Sequence, residues 1–206
     1  MIFFTADTHF YHEDLLTSQH FSPRPYENIH DEHKGLITAW NARVTEHDRV
    51  YHLGDVAMMN HVRPEKHANE LVARILMQLN GHITLIKGNH DTRSLFKYLS
   101  NHNPILSDGH TKYAFEDVGC IVKANHHQFF LTHYPLIFGK TQNSINLHGH
   151  IHHTMVAIPE NINVGIDSAD LEYLTSVERP TWGSPITFTE IETIMQRKHD
   201  DFAKRR

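Results

Sequence analysis

The segment HITLIKGNHD, residues 82–91, contains the pattern that decides the fold of this chain. Its first half is a short apolar run of the kind that forms a strand buried on both faces of a sheet. Its second half is a glycine followed by amide, imidazole and carboxylate side chains. In open α/β sheets, binding sites form beyond the carboxyl ends of the strands. We therefore predict a strand over residues 82–87 and a functional site directly after it.

Similar polar clusters occur elsewhere in the chain, and most of them also follow an apolar, β-rich run. The full set is Asp7-Thr-His9, Gly54-Asp55, Gly88-Asn89-His90-Asp91, His133 and Gly149-His150-Ile-His152. Singly these are weak signals, apart from Gly-Asn-His-Asp, which places an amide beside an imidazole after a tight turn. The clusters can meet only if the strand ends lie side by side, and together they offer more nitrogen and oxygen ligands than one metal ion needs. The set therefore indicates a two-metal hydrolytic centre.

The first half of the chain alternates strands with amphipathic helices. Strands are predicted at residues 1–6, 49–53 and 82–87, and helices at 28–44, 64–80 and 92–100. This alternation predicts a parallel sheet with right-handed crossovers.

The second half is richer in closely spaced strand candidates. These are residues 112–116, 119–124, 128–132, 144–147, 155–158 and 161–166. The short turns between them predict a second, more antiparallel sheet. A C-terminal helix is predicted at 189–197, followed by a polar tail, residues 198–206, that frays.

Composition restricts the class of protein. The chain has 206 residues, of which 39% are hydrophobic and 21% charged, so we predict a single globular domain over residues 1–206. The formal net charge of −5 disfavours a broad basic surface for nucleic acid. The single cysteine, Cys120, excludes a disulfide framework. With no signal peptide and no apolar run of membrane length, we expect a cytoplasmic protein without a membrane partner.

In this order, the clusters resemble the motifs of the calcineurin-like metallophosphoesterase superfamily. The surrounding segments TADTHFYHEDLL, VYHLGDVA and LIKGNHD are similar to those of its small single-domain bacterial and phage members. The resemblance extends from residue 7 to residue 152. It implies an α/β fold in which a two-sheet β-sandwich is flanked by helices, with a dinuclear metal site at the strand ends.

The resemblance also implies a role for each cluster. The implied ligands are Asp7, His9 and His152 for the first metal, Asn89, His133 and His150 for the second, and Asp55 as the bridge between them. His90 would be a catalytic residue that is not a ligand, and Asp91 would orient it by accepting a hydrogen bond. These ligand types suit two divalent cations, with Mn²⁺ expected first and iron, nickel or zinc as alternatives.

The implied reaction is hydrolysis of a phosphate ester by hydroxide that bridges the two metals and attacks in line. His90, as an imidazolium, would stabilise the transferring group or protonate the leaving oxygen. This chemistry requires no serine or cysteine nucleophile.

Three further side chains are candidates for contact with the substrate, and two of them have a structural alternative. His12 follows His9 by three positions and is either a substrate contact or a supporting or surface histidine. Arg93 would clamp a phosphate or lie on a helix surface, and Arg24 lies between two prolines on a stiff loop. The segment 58–63 is a candidate substrate-facing loop.

The favoured activity is hydrolysis of a small phosphate ester, with a phosphodiester narrowly preferred to a phosphomonoester and a nucleotide among the candidates. The residues after Asp55, Val-Ala-Met-Met-Asn, differ from the Arg-Gly-containing continuation of the protein serine/threonine phosphatases, which disfavours a protein substrate. The alternatives are a nuclease acting on single-stranded nucleic acid and a non-catalytic interaction scaffold of the same fold. The acidic net charge argues against the first, and the complete ligand set argues against the second. The sequence leaves the oligomeric state open.

Overall fold

A computed structural model of the chain describes residues 1–19, 21, 23–59, 62–139, 141 and 143–205. The strands are β1 (Ile2–Thr5), β2 (Arg49–His52), β3 (His82–Ile86), β4 (Tyr113–Glu116), β5 (Gly119–Ala124), β6 (His127–Thr132), β7 (Ser144–His148), β8 (Asn161–Asn163) and β9 (Ile186–Thr187). The helices are α1 (Ile29–Asn41), α2 (Glu65–Leu76), α3 (Arg93–Asn101) and α4 (Phe188–Lys204), with short 3-10 turns at Glu13–Leu16 and Ala169–Tyr173. None of the helices in the described part of the chain is long and apolar enough to span a bilayer.

The first sheet has the strand order β4-β3-β2-β1-β9. Its strands β1 to β4 are parallel, and β9 pairs antiparallel with β1. Alternate side chains of these strands enter two separate hydrophobic clusters, because successive residues of a strand point to opposite faces. Phe3 packs with the residues of α1, α2 and α3, whereas the next residue, Phe4, packs with the second sheet and α4.

The second sheet has the order β5-β6-β7-β8 and lies against the first through side chains such as Phe129, Leu131 and Leu147. The architecture is therefore a two-sheet sandwich flanked by helices, as the sequence predicts. The predicted antiparallel character of the second sheet is wrong, because only β5 and β6 pair antiparallel, while β6, β7 and β8 are parallel.

Strand β4 belongs to the first sheet and not, as predicted, to the second. Helix α3 carries the chain back from β3 and makes β3-α3-β4 a parallel crossover unit. The side chain of Asn103 then fixes the start of β4, because it exchanges two hydrogen bonds with the backbone of Tyr113, at 2.8 and 2.9 Å.

Two further local predictions are wrong. Residues 155–158 are not a strand, because 155–156 are irregular and 157–158 form a bend. Helix α4 continues to Lys204, through the segment predicted to fray, whose last residue lies outside the described part. The reason is Lys198, which is fully buried and donates to Asp170 Oδ1 and the carbonyl of Asn161, both at 2.7 Å. This buried ion pair attaches the polar end of the helix to the body of the protein.

Candidate metal centre

The predicted ligands come from the carboxyl ends of strands in both sheets. Asp7 and His9 follow β1, Asp55 follows β2, His133 follows β6 and His150 follows β7. Because β1 and β2 are parallel, and β6 and β7 are parallel, each pair delivers its ligands to one edge. The backbone N–H of His150 donates to the carboxylate of Asp7 at 2.9 Å, which joins the edges of the two sheets.

The first group of candidate ligands consists of Asp7, His9 and His152, all of them buried. One ligand atom from each lies within 4.8 Å of the others, as binding of a single cation requires. The Nε2 atom of His9 is buried and has no hydrogen-bond partner among the described residues. A buried imidazole nitrogen without a partner is costly, and coordination of a cation would satisfy it.

The second group consists of Asp55, His133 and His150, whose ligand atoms also lie within 4.8 Å of one another. Asn89 belongs with them, because its Oδ1 lies 2.8 Å from both His133 Nε2 and His150 Nδ1. Amide oxygen, imidazole nitrogen and carboxylate oxygen therefore converge at one point. His133 Nδ1 lies 2.8 Å from the carbonyl oxygen of Leu53, which orients the ring with Nε2 toward the group.

One carboxylate oxygen lies between the two groups. Asp55 Oδ2 is 3.5 Å from His9 Nε2, in the first group, and 3.4 Å from His133 Nε2, in the second. The other oxygen, Oδ1, accepts the backbone N–H of His90 at 2.8 Å. That hydrogen bond holds the carboxylate in the position that a bridging ligand needs.

The backbone at the site is strained. Positive φ angles of 46° to 71° occur at Asp7, His9, Asp55, His150 and His152. Left-handed backbone costs a residue with a side chain about 1–2 kcal/mol, and such strain clusters at functional sites. The strain is thus concentrated at positions that carry candidate ligands.

Glycines give the carboxylates the space they occupy. A Cβ atom on Gly88 would lie 2.2 Å from Asp55 Oδ1, and one on Gly149 would lie 2.6 Å from Asp7 Oδ2. Any side chain at these two positions would displace a candidate ligand. This explains the glycine in the Gly-Asn-His-Asp and Gly-His-Ile-His motifs.

Burial perturbs the ionisation of the carboxylates and imidazoles. Burial raises the pKa of Asp7 to about 7, against the opposing charges of His133 and His152. Burial, and then the positive charge of Arg24, keeps the pKa of His9 well below its usual range. Burial would also raise the pKa of Asp55, but the hydrogen bond and charge of His133 outweigh it and lower that pKa. His9 is therefore neutral and able to donate a lone pair to a cation.

His90 is half-buried beside the first group, with its ring 5.3 Å from the ring of His9. The predicted role of Asp91, to accept a hydrogen bond from His90, is wrong. Its Oδ2 accepts the backbone N–H groups of Asp55 and Gly88, at 2.8 and 2.9 Å, and its Oδ1 accepts that of Val56 at 2.9 Å. Among the described residues these amides are its partners, so Asp91 fastens the loop after β3 to the loop after β2.

The candidate substrate contacts lie in different settings. The Nδ1 atoms of His12 and His9 are 3.3 Å apart, which places His12 at the rim of the first group. Arg93 is exposed at the first position of α3. Of the segment 58–63, residues 60 and 61 lie outside the described part, and Met59 and Arg63 line a cavity beside His90.

Arg24 is not placed to contact a substrate, because its side chain is 0% exposed. Its guanidinium donates to the carbonyls of Asp7 and Thr8, both at 2.7 Å. It also forms ion pairs with Glu32 at 2.8 Å and Asp167 at 3.0 Å. Arg24 therefore holds the backbone that carries the first group, in place of the substrate contact expected from its loop.

Sequence reasoning missed Asp167 and Glu32. Asp167 Oδ2 lies 3.5 Å from His152 Nδ1, so the same carboxylate meets both Arg24 and a candidate ligand. Its only signal is its place after the apolar run that follows β8. Glu32 is 0% exposed on α1, and nothing in the sequence distinguishes it from a surface residue of that helix.

Comparison with known proteins identifies the family of the chain. The family profile of the calcineurin-like phosphoesterases matches residues 1–189. The chain therefore belongs to the calcineurin-like phosphoesterase family.

Two relatives are similar to the chain. The uncharacterized protein MJ1445 of Methanocaldococcus jannaschii is 34% identical over 155 residues, which are 71% of this chain and 80% of that protein. A crystal structure of the protein of unknown function AQ665 from Aquifex aeolicus is 23% identical, with a TM-score of 0.49, and the match covers 74% of this chain and 79% of that one.

Proposed function

We propose that this protein is a dinuclear, metal-dependent phosphoesterase that hydrolyses a small phosphate ester, with a phosphodiester preferred to a phosphomonoester. The observation that carries the proposal is the position of Asp55 Oδ2, 3.4 to 3.5 Å from one imidazole of each ligand group. A carboxylate shared in this way is what a pair of closely spaced cations requires.

In this proposal the first cation is held by Asp7, His9 and His152, the second by Asn89, His133 and His150, and both by Asp55. Two observations support the fit: His9 Nε2 is buried without a hydrogen-bond partner among the described residues, and Asn89 Oδ1 lies 2.8 Å from an imidazole nitrogen of both His133 and His150. When bound, two divalent cations neutralise the phosphoryl oxygens and supply a nucleophile from water near neutral pH. Mn²⁺ is the proposed metal, and the same ligand types also accept iron, nickel or zinc.

His90 acts on the ester oxygen of the leaving group. Its backbone N–H donates to Asp55 Oδ1, so the main chain at His90 is attached to the bridging carboxylate. An imidazole at the half-buried rim of the site can exchange protons with solvent and deliver one to the departing oxygen. Asp91 contributes by positioning, because the loops that carry Asp55 and His90 are joined through its carboxylate.

Two cavities beside the centre support the preference for a diester. One is lined by His90 and the other by His12, and Met59 lines both. Because His90 and His12 both lie close to His9, each cavity adjoins the first ligand group, and together they offer room for two substituents of a phosphate. A monoester would use one cavity and leave the other to solvent.

The test combines metal analysis with a hydrolysis screen. Purified protein is loaded with Mn²⁺, Fe²⁺, Ni²⁺ or Zn²⁺ and offered bis-p-nitrophenyl phosphate, p-nitrophenyl phosphate and cyclic nucleotides. We expect close to two metal ions per chain and a higher kcat/KM for the diester. His90→Ala should lower kcat by about 10²-fold or more, in keeping with the loss of a general acid. The control is His199→Ala, an exposed histidine on α4.

Full activity with one metal ion per chain would refute the dinuclear centre. Near-normal kcat in metal-loaded His90→Ala would refute the role of His90. Hydrolysis of single-stranded nucleic acid far above that of the small esters, with a steep salt dependence, would favour a nuclease instead.

A further inference from the structure

A cavity of about 160 Å³ lies beside His90, between the loop after β2 and the helices α2 and α3. Its buried walls are mainly apolar and include Ala57, Ala68, Val72 and Leu95, each at most 5% exposed. A concave, apolar site with few polar groups, at the edge of a reactive centre, is typical of ligand binding.

The cavity and the candidate metal centre share His90. The ring of His90 lines the cavity and also lies 5.3 Å from the ring of His9, a first-group ligand candidate. Ala57, on the cavity wall, follows the bridging residue Asp55 by two positions. A group attached to a phosphate at the centre can therefore reach the cavity by passing His90.

The volume of the cavity selects the size of the group. An engineered apolar cavity of about 150 Å³ in another protein binds one benzene molecule. The cavity here is of the same size, so it has room for one six-membered ring. Polar groups also line the cavity, namely those of Arg63, Glu65, Asn69, His90 and Thr92, and the Nδ2 of Asn69 donates to Ser94 Oγ at 2.8 Å.

We propose that this cavity is the leaving-group subsite, and that it binds a single-ring, largely apolar or aromatic group esterified to the phosphate. The proposal rests on the proposed phosphoesterase function. In the reaction, the oxygen of a water molecule forms the new bond to phosphorus and gives up one proton to solvent, and the bond between phosphorus and the ester oxygen breaks. The ester oxygen keeps the electron pair and takes the proton of His90, so a ring alcohol leaves into the cavity. His90 is protonated again from solvent.

The test measures binding of phosphonates, which are not hydrolysed, to the metal-loaded protein by calorimetry. Phenylphosphonate should bind at least about tenfold more tightly than methylphosphonate, equivalent to ~1.4 kcal/mol. Ala68→Leu fills the cavity and should reduce this ratio to about twofold or less, with the affinity for methylphosphonate unchanged. Ala203→Leu, the same substitution at an exposed position of α4, is the matched control and should preserve the ratio.

Val72→Ala enlarges the cavity and decides the question if Ala68→Leu does not fold. It should improve binding of 1-naphthylphosphonate relative to phenylphosphonate by about tenfold or more, since deletion of buried methyl groups opens space for a larger ligand. Equal affinity of the wild type for phenylphosphonate and methylphosphonate would overturn the subsite. Retention of the preference in folded Ala68→Leu would also overturn it.

The outcomes separate the two proposals. If the predicted binding ratios are found but no phosphate ester is hydrolysed, the phosphoesterase function fails and the ring-binding site stands. If esters are hydrolysed without a preference for a ring, the subsite fails and the function stands.

Discussion

Replacing Arg24 by methionine should destabilise the protein severely, although the residue lies on a loop. The guanidinium makes hydrogen bonds of 2.7 to 3.0 Å to two carbonyls and to the carboxylates of Glu32 and Asp167. The side chains of Arg24 and Glu32 are 0% exposed, and that of Asp167 is 4% exposed. Removing the cation therefore leaves two buried carboxylates without a positive counter-charge.

The magnitude follows from that burial. Removing one partner of a buried ion pair costs about 3–5 kcal/mol, mainly because the remaining charge is uncompensated. Protonation of Glu32 limits the cost, since burial already raises the pKa of its carboxyl. We expect Arg24→Met to lower the free energy of unfolding by about 4 kcal/mol at pH 7, a large part of the ~5–15 kcal/mol typical of a folded domain.

The assay is urea denaturation of the metal-free protein, so that metal binding does not contribute to the difference. The double variant Arg24→Met/Glu32→Gln serves as the control, because it removes both partners of one ion pair. It should be at least ~1 kcal/mol more stable than the sum of the two single effects predicts. A loss below ~1 kcal/mol in Arg24→Met, or additivity of the two substitutions, would refute the reasoning and return Arg24 to the candidate substrate contacts.

Three further outcomes follow from the structure. Asp167→Asn should weaken metal binding by about 10–100-fold, because its carboxylate orients His152, and an unchanged dissociation constant in calorimetry would contradict this. Lys198→Met should lower the free energy of unfolding by about 3–5 kcal/mol, because the ion pair of Lys198 with Asp170 is fully buried. Denaturation of the double variant Lys198→Met/Asp170→Asn should show most of that loss restored. Burial lowers the pKa of His33 to about 4, so the unfolded chain takes up this proton first as pH falls. The free energy of unfolding should therefore fall as the pH is lowered from 6.5 to 4. In His33→Gln, measured in excess chelator, this fall should be smaller by ~2 kcal/mol over the same window. An equal fall in the two proteins would contradict the assignment.

The sequence predicts those parts of the fold that depend on short, local patterns. The strand over residues 82–87 and its neighbours could be recognised because buried parallel strands form uninterrupted apolar runs. The meeting of Asp7 and Asp55 could be foreseen because the parallel strands β1 and β2 end at one edge. Local patterns do not specify strand direction, and so the parallel pairing of β6 with β7 was not predicted.

The remaining errors concern contacts between distant parts of the chain. Arg24 binds Asp167, which lies 143 positions away in the sequence. Lys198 binds Asp170, which lies in a short 3-10 turn that no sequence periodicity predicts. Asp91 was expected to contact its sequence neighbour His90, but its carboxylate accepts two backbone amides of the loop after β2 and one, that of Gly88, from its own loop. From the sequence alone, a charged residue between polar neighbours is predicted to lie on the surface, because its buried partner cannot be identified.

The left-handed backbone at the candidate ligands bears on how this protein can change under selection. Asp7, with a φ angle of 57°, is held in a conformation that glycine adopts without cost. Exchange of such a residue for glycine would abolish a ligand and release about 1–2 kcal/mol of conformational strain. Laboratory evolution for heat resistance alone exerts no selection to keep such a residue in the candidate metal centre. Activity must be screened in every round if both properties are to be retained.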